Sequence, residues 1–430
     1  MYHLAASAVL GLSLCVTQAL AETRPMPRDL GAQVEAPQVL SATTPPARRL
    51  SMTDTVAQSS GFEAWRNRFK GRAVSKGIRP AVFDAAFAGV RPSAEVLRLD
   101  RSQAEFTKAI WEYLDTAVSD TRVSNGRQNY RRLRSTVEAI EARYGVEASV
   151  VVAVWGMETN YGGYRGSTDT IQALATLAYD GRRRSWAEEQ LIGALRILQS
   201  GDVRPRDMRG SWAGAMGHTQ FIPTSYLAYA QDFTGDGRRD VWGVDPTDAL
   251  ASTANYLARH GWVKGQPWGV EVTLPRGFDY GLADARTMRS PGQWARLGVR
   301  RPDGSAVPNY GNAALFAPAG ARGPKFLTFK NFQVIKRYNN ANSYAMGVGH
   351  LADRINGRPE FSAPWPRSDR ALSRREKAEL QRLLTARGFD TKGADGKVGP
   401  NTIAAIRRFQ RSAGLVPDGY ASADLLQRLR

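Results

Sequence analysis

The spacing of apolar residues predicts mostly helical structure between residues 61 and 360. Apolar positions recur there at helical spacing, and loops rich in glycine and proline separate them. Four aromatic residues near its start are expected on inward helix faces: Phe62, Trp65, Phe69 and Phe83. Few segments alternate with a period of two, and residues 271–274 and 326–329 are the candidate short strands. The pattern predicts a mostly α domain with a minor β element.

One segment, from Val150 to Met157, is apolar at nearly every position. It is too short to span a membrane and too continuous for an amphipathic surface helix, so it predicts a central, buried element. Its length would also suit a core strand. The charged stretch before it, residues 130–144, and the Gly162–Gly163 pair after it favour a helix.

Glu158 is the last residue of this run before the chain becomes polar. The apolar surface of Trp155 and Met157 and a nearby helix C-terminus would both disfavour the anion, which predicts a raised pKa. A carboxylic acid that stays protonated near neutral pH is what general-acid cleavage of an acetal requires. The alternative is a surface glutamate paired with an arginine, because structural ion pairs also perturb carboxylates.

Residues 1–21 have the composition of a secretory signal peptide. They lack charged residues, and an apolar run from Val9 to Val16 is followed by Ala19-Leu20-Ala21, a small-x-small cleavage site. Cleavage there would remove Cys15, the single cysteine. The mature chain could then form no disulfide and could not use a thiol in catalysis. Residues 22–60, rich in proline, alanine, threonine and arginine, predict a disordered tether. No later stretch reaches the length of a membrane span, so we expect an exported, periplasmic protein that is either soluble or held at the wall only by contacts.

The 59 basic and 40 acidic residues give a formal net charge of +19. Nucleic acid is one partner that this charge suits, but the export signal and the lack of a nucleic-acid motif argue against it. An anionic extracellular polymer fits better. A solvated basic surface without a specific partner is the alternative.

The tail has a pattern of its own after a proline-rich linker at residues 361–371. Helical spacing recurs over residues 376–387 and 401–410, and Ser422 is a candidate N-cap for a last helical turn. Residues 372–430 therefore predict a small three-helix module. A module of this size is too small for a large active site, so a binding role is expected.

Three segments carry the motifs of the large domain: 156-GMETNYG-162, 211-SWAGAMGHTQFIPTSY-226 and 331-NFQVIKRYNN-340. Together they resemble the lytic murein transglycosylases of the B type, over residues 60 to 357 and in the order expected of that family. The resemblance implies a lysozyme-like α+β catalytic domain. It also implies cleavage of the β-1,4 bond between N-acetylmuramic acid and N-acetylglucosamine in peptidoglycan, with 1,6-anhydro ends as product.

The same resemblance implies that Glu158 is the single catalytic acid and base. It places seven further residues along the sugar-binding cleft: Ser211, Gln220, Tyr338, Asn339, Tyr256, Tyr344 and Tyr113. Tyrosine rings suit stacking on pyranose rings, and amide side chains can both donate and accept hydrogen bonds. Ser211 and Asn339 could equally be cap or turn residues. Four other residues in or beside these motifs are expected to pack in the core or a loop: Trp155, Met216, Phe221 and His218.

The number of acids bears on the mechanism. Hydrolysing glycosidases pair two carboxylates, and Asp169 and Asp180 are the nearest candidates downstream of Glu158. One acid is enough if the substrate supplies its own nucleophile, the muramyl 6-hydroxyl. A hydrolysing muramidase and a non-catalytic wall-binding protein are the alternatives.

Residues 232–240, DFTGDGRRD, resemble the first half of an EF-hand calcium loop. Oxygen ligands would come from Asp232, Thr234 and Asp236, with Asp248 as a further acid. Thr234 replaces the usual acid, and Arg238 adds positive charge, so a metal-free turn is the alternative. No cofactor is expected to be required for the chemistry; calcium would be structural.

The tail resembles the type 1 peptidoglycan-binding module. The resemblance rests on 380-LQRLL-384, the turn 395-DGKVGPNT-402 and Phe409-Gln410. Asp395 and Thr402 are expected to build this turn rather than contact a ligand. The module is expected to hold the catalytic domain at peptidoglycan and so raise its effective substrate concentration.

Overall fold

The structure is a computed structural model that describes residues 52–101 and 108–430. The predicted signal peptide and residues 22–51 of the predicted tether lie outside the described residues. The last nine residues of that tether, 52–60, belong instead to the first helix. The reason is local, because the prolines of the tether end at Pro46 and nothing after it prevents a helix from starting.

Helices dominate the described part of the chain. In chain order they are α1 (Met52–Ser75), α2 (Pro80–Ala86), α3 (Ala94–Arg101), α4 (Ile110–Ala117), α5 (Asp120–Arg132), α6 (Arg134–Tyr144), α7 (Ala148–Thr159), α8 (Thr170–Asp180), α9 (Arg184–Ser200), α10 (Pro223–Tyr229), α11 (Thr247–Arg259), α12 (Pro291–Arg296), α13 (Lys330–Tyr338), α14 (Asn342–Ile355), α15 (Arg374–Ala386), α16 (Pro400–Ser412) and α17 (Ala423–Leu429). None of these helices is both long and apolar enough to cross a bilayer.

Within residues 52–101 and 108–430, five short strands form two antiparallel sheets. They are β1 (Thr168–Asp169), β2 (Arg209–Gly210), β3 (Gly269–Val272), β4 (Ala314–Phe316) and β5 (Lys325–Thr328). β1 pairs with β2, and β5 lies between β3 and β4, with Gly269 opposite Thr328. The two predicted strands are thus present and pair with each other, one to two residues earlier than expected. The prediction of a mostly α fold with a minor β element is confirmed.

Helix α7 is the centre of the large domain. All twelve of its residues are buried, and it packs against α5, α6, α11 and α14. A helix surrounded by other helices must be apolar on every side, which explains the continuous run in the sequence. The four aromatic residues of α1 and α2 chosen from their spacing are all buried in the same core.

The C-terminal module has its own core, formed by leucines of α15 and α17 and by Ala405 and Ile406 of α16. Ser422 caps α17 as predicted, because its hydroxyl accepts from the Leu425 amide at 3.0 Å. The linker is packed rather than free. Trp365 lies against Trp111 of α4, and Arg367 forms an ion pair with Asp115 at 2.7 Å.

The module also contacts the large domain directly. Arg322 pairs with Asp424 of the module at 3.1 Å and with Asp369 of the linker at 2.6 Å, and the Asp369 side chain is only 1% exposed. Tyr420 joins a small apolar cluster built around Trp111 and Ala319. These contacts hold the module against the large domain in this structure.

Candidate active site

Glu158 lies in the last turn of α7. The helix ends because Asn160 adopts a left-handed conformation, with φ of 49°, so the chain turns away directly after the acid. The Glu158 residue is 6% exposed, which rules out the surface position considered from sequence. The Tyr344 hydroxyl donates to its Oε1 at 2.7 Å. The end of α7 therefore presents a buried carboxyl group that is oriented by a hydrogen bond.

Two other helices bring tyrosines to this acid. Tyr344 is in the first turn of α14, and Tyr113 is in α4, where its ring approaches α14 at Gly347. A Cβ at Gly347 would lie 3.3 Å from the Tyr113 ring and 3.0 Å from the Met157 side chain, so glycine permits this approach. Burial raises the pKa of Tyr113, and the charge of Glu158 acts in the same direction. Tyr113 therefore stays a neutral phenol near the carboxyl, and the Tyr344 hydroxyl is the donor to it.

Thr159 and His218 join the first two motif segments. The Thr159 hydroxyl donates to the His218 carbonyl at 2.7 Å and accepts from the Gly162 amide at 2.9 Å. The Trp155 indole donates to His218 Nδ1 at 3.1 Å. Nδ1 is therefore the acceptor, and Nε2 carries the proton and donates to the Gly243 carbonyl at 2.9 Å. Burial lowers the pKa of His218, in keeping with this neutral role in loop packing.

In the second segment, Ser211 and Gln220 hold the loop together. Ser211 Oγ accepts from the amides of Ala213 and Ala215 at 3.3 and 3.0 Å, which is the turn role considered as its alternative. Gln220 has φ of 56°, and its Nε2 donates to the carbonyls of Gly217 and Arg165 at 2.8 and 3.1 Å. Their side chains shape the loop in this structure.

The third segment supplies buried aromatic rings. Tyr338 lies parallel to Tyr344, with 6.5 Å between ring centroids, and its hydroxyl donates to the Thr219 carbonyl at 2.6 Å. Tyr256 packs edge-on against Tyr338 and donates to the Arg337 carbonyl at 2.6 Å. Asn339 Oδ1 accepts from the Ala341 amide at 3.2 Å, which makes Asn339 a turn residue just before α14.

The motif residues expected in the core are there. Trp155, Met216 and Phe221 are at most 2% exposed. The two candidate second acids have structural roles, since Asp169 caps α8 and Asp180 pairs with Arg101 at 2.6 Å.

Arg165 is a positioning residue that sequence reasoning missed. Its guanidinium donates to the carbonyls of Trp242, at 2.7 Å, and Gly243, and thereby fixes the loop after Glu158 to the loop after residue 240. The signal was weak, because one arginine among many has no spacing that marks it.

The acidic loop brings three carboxylates together. Oxygens of Asp232, Asp236 and Asp248 lie within 4.8 Å of one another. Desolvation raises the pKa of Asp248, and the charge of Asp232 adds to this, although three backbone amides oppose it. Desolvation also acts to raise the pKa of Asp232, but hydrogen bonds from the amides of Gly237, Gly235 and Asp236 and from the Thr234 hydroxyl together hold that pKa below its usual value. Clustered oxygen ligands suit a hard cation, and Arg238 is exposed, so its charge can face solvent.

Comparison with known proteins agrees with this geometry. Residues 61–353 match the family described as the transglycosylase SLT domain, and residues 374–429 match the peptidoglycan binding domain. The chain belongs to the lytic murein transglycosylase B family. Membrane-bound lytic murein transglycosylase B of Escherichia coli is 34% identical over 278 residues, which cover 60% of this chain and 73% of that protein.

Solved structures of the family show the same fold. SltB3 of Pseudomonas aeruginosa, in complex with NAG-anhNAM-pentapeptide, is 50% identical, with a TM-score of 0.83 over 86% of this chain and 99% of its own. Escherichia coli Slt35, in complex with calcium, is 31% identical, with a TM-score of 0.58 over 68% of this chain and 92% of its own. The family assignment confirms the lysozyme-like catalytic domain and the helical C-terminal module expected from the motifs.

Proposed function

We propose that this enzyme cleaves the β-1,4 bond between N-acetylmuramic acid and N-acetylglucosamine in peptidoglycan and leaves 1,6-anhydromuramyl ends. The observation that carries the proposal is the buried Glu158 at the end of α7, bound by Tyr344 and flanked by the family's cleft segments. The relative SltB3 was solved with a ligand that contains the anhydro sugar.

Glu158 acts twice in the proposed reaction. Its carboxylic acid first protonates the glycosidic oxygen, and the bond from that oxygen to the muramyl C1 breaks, leaving a positively charged sugar. The resulting carboxylate then removes the proton from the muramyl 6-hydroxyl, whose oxygen bonds to C1 and closes the anhydro ring. The proton returns to Glu158, so the cycle consumes no water and needs no second acid.

Burial of Glu158 supports the first step. A low-dielectric environment disfavours the carboxylate, whereas the hydrogen bond from Tyr344 favours and orients it. The hydrogen bonds of Thr159 and Arg165 keep the surrounding loops in place, so the acid does not need to reorganise during the reaction.

Product analysis on purified sacculi tests the proposal. We expect mass spectrometry to find anhydro ends with wild-type enzyme and no products with Glu158→Gln. Reducing ends formed by addition of water would instead support a hydrolysing muramidase. Unchanged product formation by Glu158→Gln would remove the acid from the mechanism.

We further propose that seven residues line the sugar cleft: Ser211, Gln220, Tyr338, Asn339, Tyr256, Tyr344 and Tyr113. The bonds of Ser211 and Asn339 to their own loops support an indirect contribution, through the shape of the cleft, whereas Tyr344 and Tyr113 act beside the acid. The C-terminal module, proposed as residues 372–430, binds peptidoglycan. Deleting residues 368–430 should weaken binding to sacculi and spare activity on short soluble fragments.

We also propose an exported, periplasmic enzyme and a structural calcium ion. Export rests on the composition of residues 1–21, and N-terminal sequencing of the mature protein should show cleavage after Ala21. Calcium would be held by oxygens of Asp232, Thr234, Asp236 and Asp248, and it would neutralise their mutual repulsion. The Slt35 structure with calcium supports this assignment.

A further inference from the structure

The C-terminal module contains two copies of one small unit. In the first copy, Gln381 of α15 binds the loop at Asp395-Gly396, which leads into α16. In the second, Gln410 of α16 binds the loop at Asp418-Gly419, which leads into α17. The aspartate precedes the N-cap of the next helix by the same interval, 395 to 399 and 418 to 422.

Three hydrogen bonds are common to the copies. The glutamine Oε1 accepts from the glycine amide, at 2.9 Å in the first copy and 2.8 Å in the second. The glutamine Nε2 donates to the aspartate Oδ1, at 3.2 and 2.7 Å. The same Oδ1 accepts from the amide two residues later, Lys397 or Tyr420, at 2.9 Å in both. Each unit thus uses Oδ1 of its aspartate internally, which for Asp395 is the turn-building role expected from the sequence, and leaves Oδ2 outside these bonds.

In the second copy, that outer oxygen binds a peptide group of the catalytic domain. Asp418 Oδ2 accepts from the Ala321 amide at 2.8 Å. The bound segment is Ala319-Gly320-Ala321, and a Cβ at Gly320 would lie 2.3 Å from Asp418 Oδ2. The unit therefore holds a peptide of small residues, with the backbone pressed close against the aspartate.

The first copy is open. Asp395, Lys397 and Val398 are all exposed at its loop, whereas Asp418 and Tyr420 of the second copy are partly covered. The first loop thus presents an aspartate whose Oδ1 is held by the same hydrogen bonds as that of Asp418. The ammonium group of Lys397 and the apolar side chain of Val398 lie in the same loop.

We propose that the Asp395 loop is the peptidoglycan-contacting part of the module, and that Asp395 Oδ2 accepts a peptide N–H of the stem peptide as Asp418 accepts that of Ala321. The proposal rests on the proposed peptidoglycan-binding role of the module. An acetamido N–H of the glycan is the other source of this chemistry. The small residues bound by the second copy favour the stem peptide, which contains alanine, and Lys397 can attract its carboxylates.

The test is Asp395→Asn in the full chain. The two inward donors, Gln381 Nε2 and the Lys397 amide, orient the new amide with its oxygen inward, so the loop is kept and the outer acceptor becomes an NH₂ donor. Asp390→Asn is the matched control, because Asp390 is an exposed acid of the same module whose Oδ1 accepts from the Lys392 amide at 2.8 Å. All proteins carry Glu158→Gln so that the sacculi stay uncut during binding.

We expect Asp395→Asn to weaken binding to intact sacculi about tenfold, the loss of one charge-assisted hydrogen bond, with an unchanged unfolding temperature. Asp390→Asn should bind as the parent does. On sacculi stripped of stem peptides by an amidase, the parent should bind more weakly and Asp395→Asn should make no further difference.

Each other outcome overturns a defined part of the proposal. Equal binding by Asp395→Asn and the parent, with binding lost on deletion of residues 368–430, would reject Asp395 while keeping the module's role. Binding unaffected by the deletion would reject both. A tenfold loss that persists on stripped sacculi would assign the N–H to the glycan and overturn the stem-peptide assignment.

Discussion

The Tyr344 hydroxyl donates a 2.7 Å hydrogen bond to Glu158 Oε1, across 186 positions of sequence. The two side chains come from α14 and α7, which pack against each other in the centre of the domain. The acid is thus oriented by a neighbouring helix rather than by its own loop. Any shift between α7 and α14 would move the donor relative to the acid, so core packing and catalytic geometry are coupled.

Replacing Tyr344 by phenylalanine should therefore lower kcat. Loss of a hydrogen bond to a carboxylate costs about 1.5–3 kcal/mol, which corresponds to tenfold or more if the bond is kept in the transition state. The measurement is release of soluble muropeptides from sacculi at saturating substrate. Tyr226→Phe is the control, because it also loses a buried bond, from its hydroxyl to the Arg239 carbonyl at 2.6 Å. Equal kcat in both variants would show that Tyr344 does not orient the acid.

Replacing Gly166 by alanine should destabilise the protein for two reasons: its left-handed backbone conformation, and a clash of the new Cβ with the backbone at Gly210. Its φ is 84°, and a Cβ there would lie 2.2 Å from the Gly210 carbonyl oxygen. Gly201 has φ of 86° but nothing within 4 Å of its Cβ position. Both alanine variants carry the cost of a left-handed residue, about 1–2 kcal/mol. Gly166→Ala should cost about 2 kcal/mol more in urea unfolding because backbone must move. Equal losses would contradict the close approach.

The sequence predicted what depends on local pattern. The burial of α7 follows from its continuous apolar run. The Gly162–Gly163 pair predicted a helix end close after Glu158, although the chain already turns at Asn160. The strands at residues 271–274 and 326–329 and the cap at Ser422 were also found from local signals. Three features were not predicted: the hydrogen bond from Tyr344 to Glu158, the hydrogen bonds of Arg165 to neighbouring loops, and the docking of the module. They depend on how distant helices pack, and a single sequence carries no signal for that.

Calcium should stabilise the enzyme through the acidic loop. With a dissociation constant of about 10⁻⁴–10⁻³ M, typical of extracellular sites, 10 mM calcium would add about 2 kcal/mol. We expect the unfolding temperature to rise by a few degrees and a chelator to reverse this. Asp232→Asn should abolish the rise. Asp303→Asn should keep it, because Asp303 is an exposed acid elsewhere that also accepts from an amide two residues later, at 2.9 Å. A rise that survives in Asp232→Asn would place the ion at another site.

His350 of α14 should make stability fall in mild acid. Burial lowers its pKa from 6.5 to about 4, and the charge of Arg354 acts in the same direction. Glu360 lies 3.5 Å from the ring and would oppose this, but its side chain is 66% exposed and it also pairs with Arg354, so burial decides the direction.

Between pH 6.5 and 4 the unfolded chain therefore binds more protons at this residue than the folded protein does, and stability decreases as the pH falls through that window. The shift of the pKa from 6.5 to about 4 corresponds to about 3 kcal/mol in the free energy of unfolding, and all of this stability is lost once the pH is below 4. His350→Gln removes the titrating group. Between pH 6.5 and 4 the free energy of unfolding of this variant should therefore fall by about 3 kcal/mol less than that of the wild type. The comparison is made relative to pH 8, where the wild-type imidazole is neutral in both states and any packing cost of the glutamine is measured alone. Parallel pH profiles of the two proteins from pH 8 to 4 would show that His350 takes up its proton as easily in the folded state as in the unfolded one.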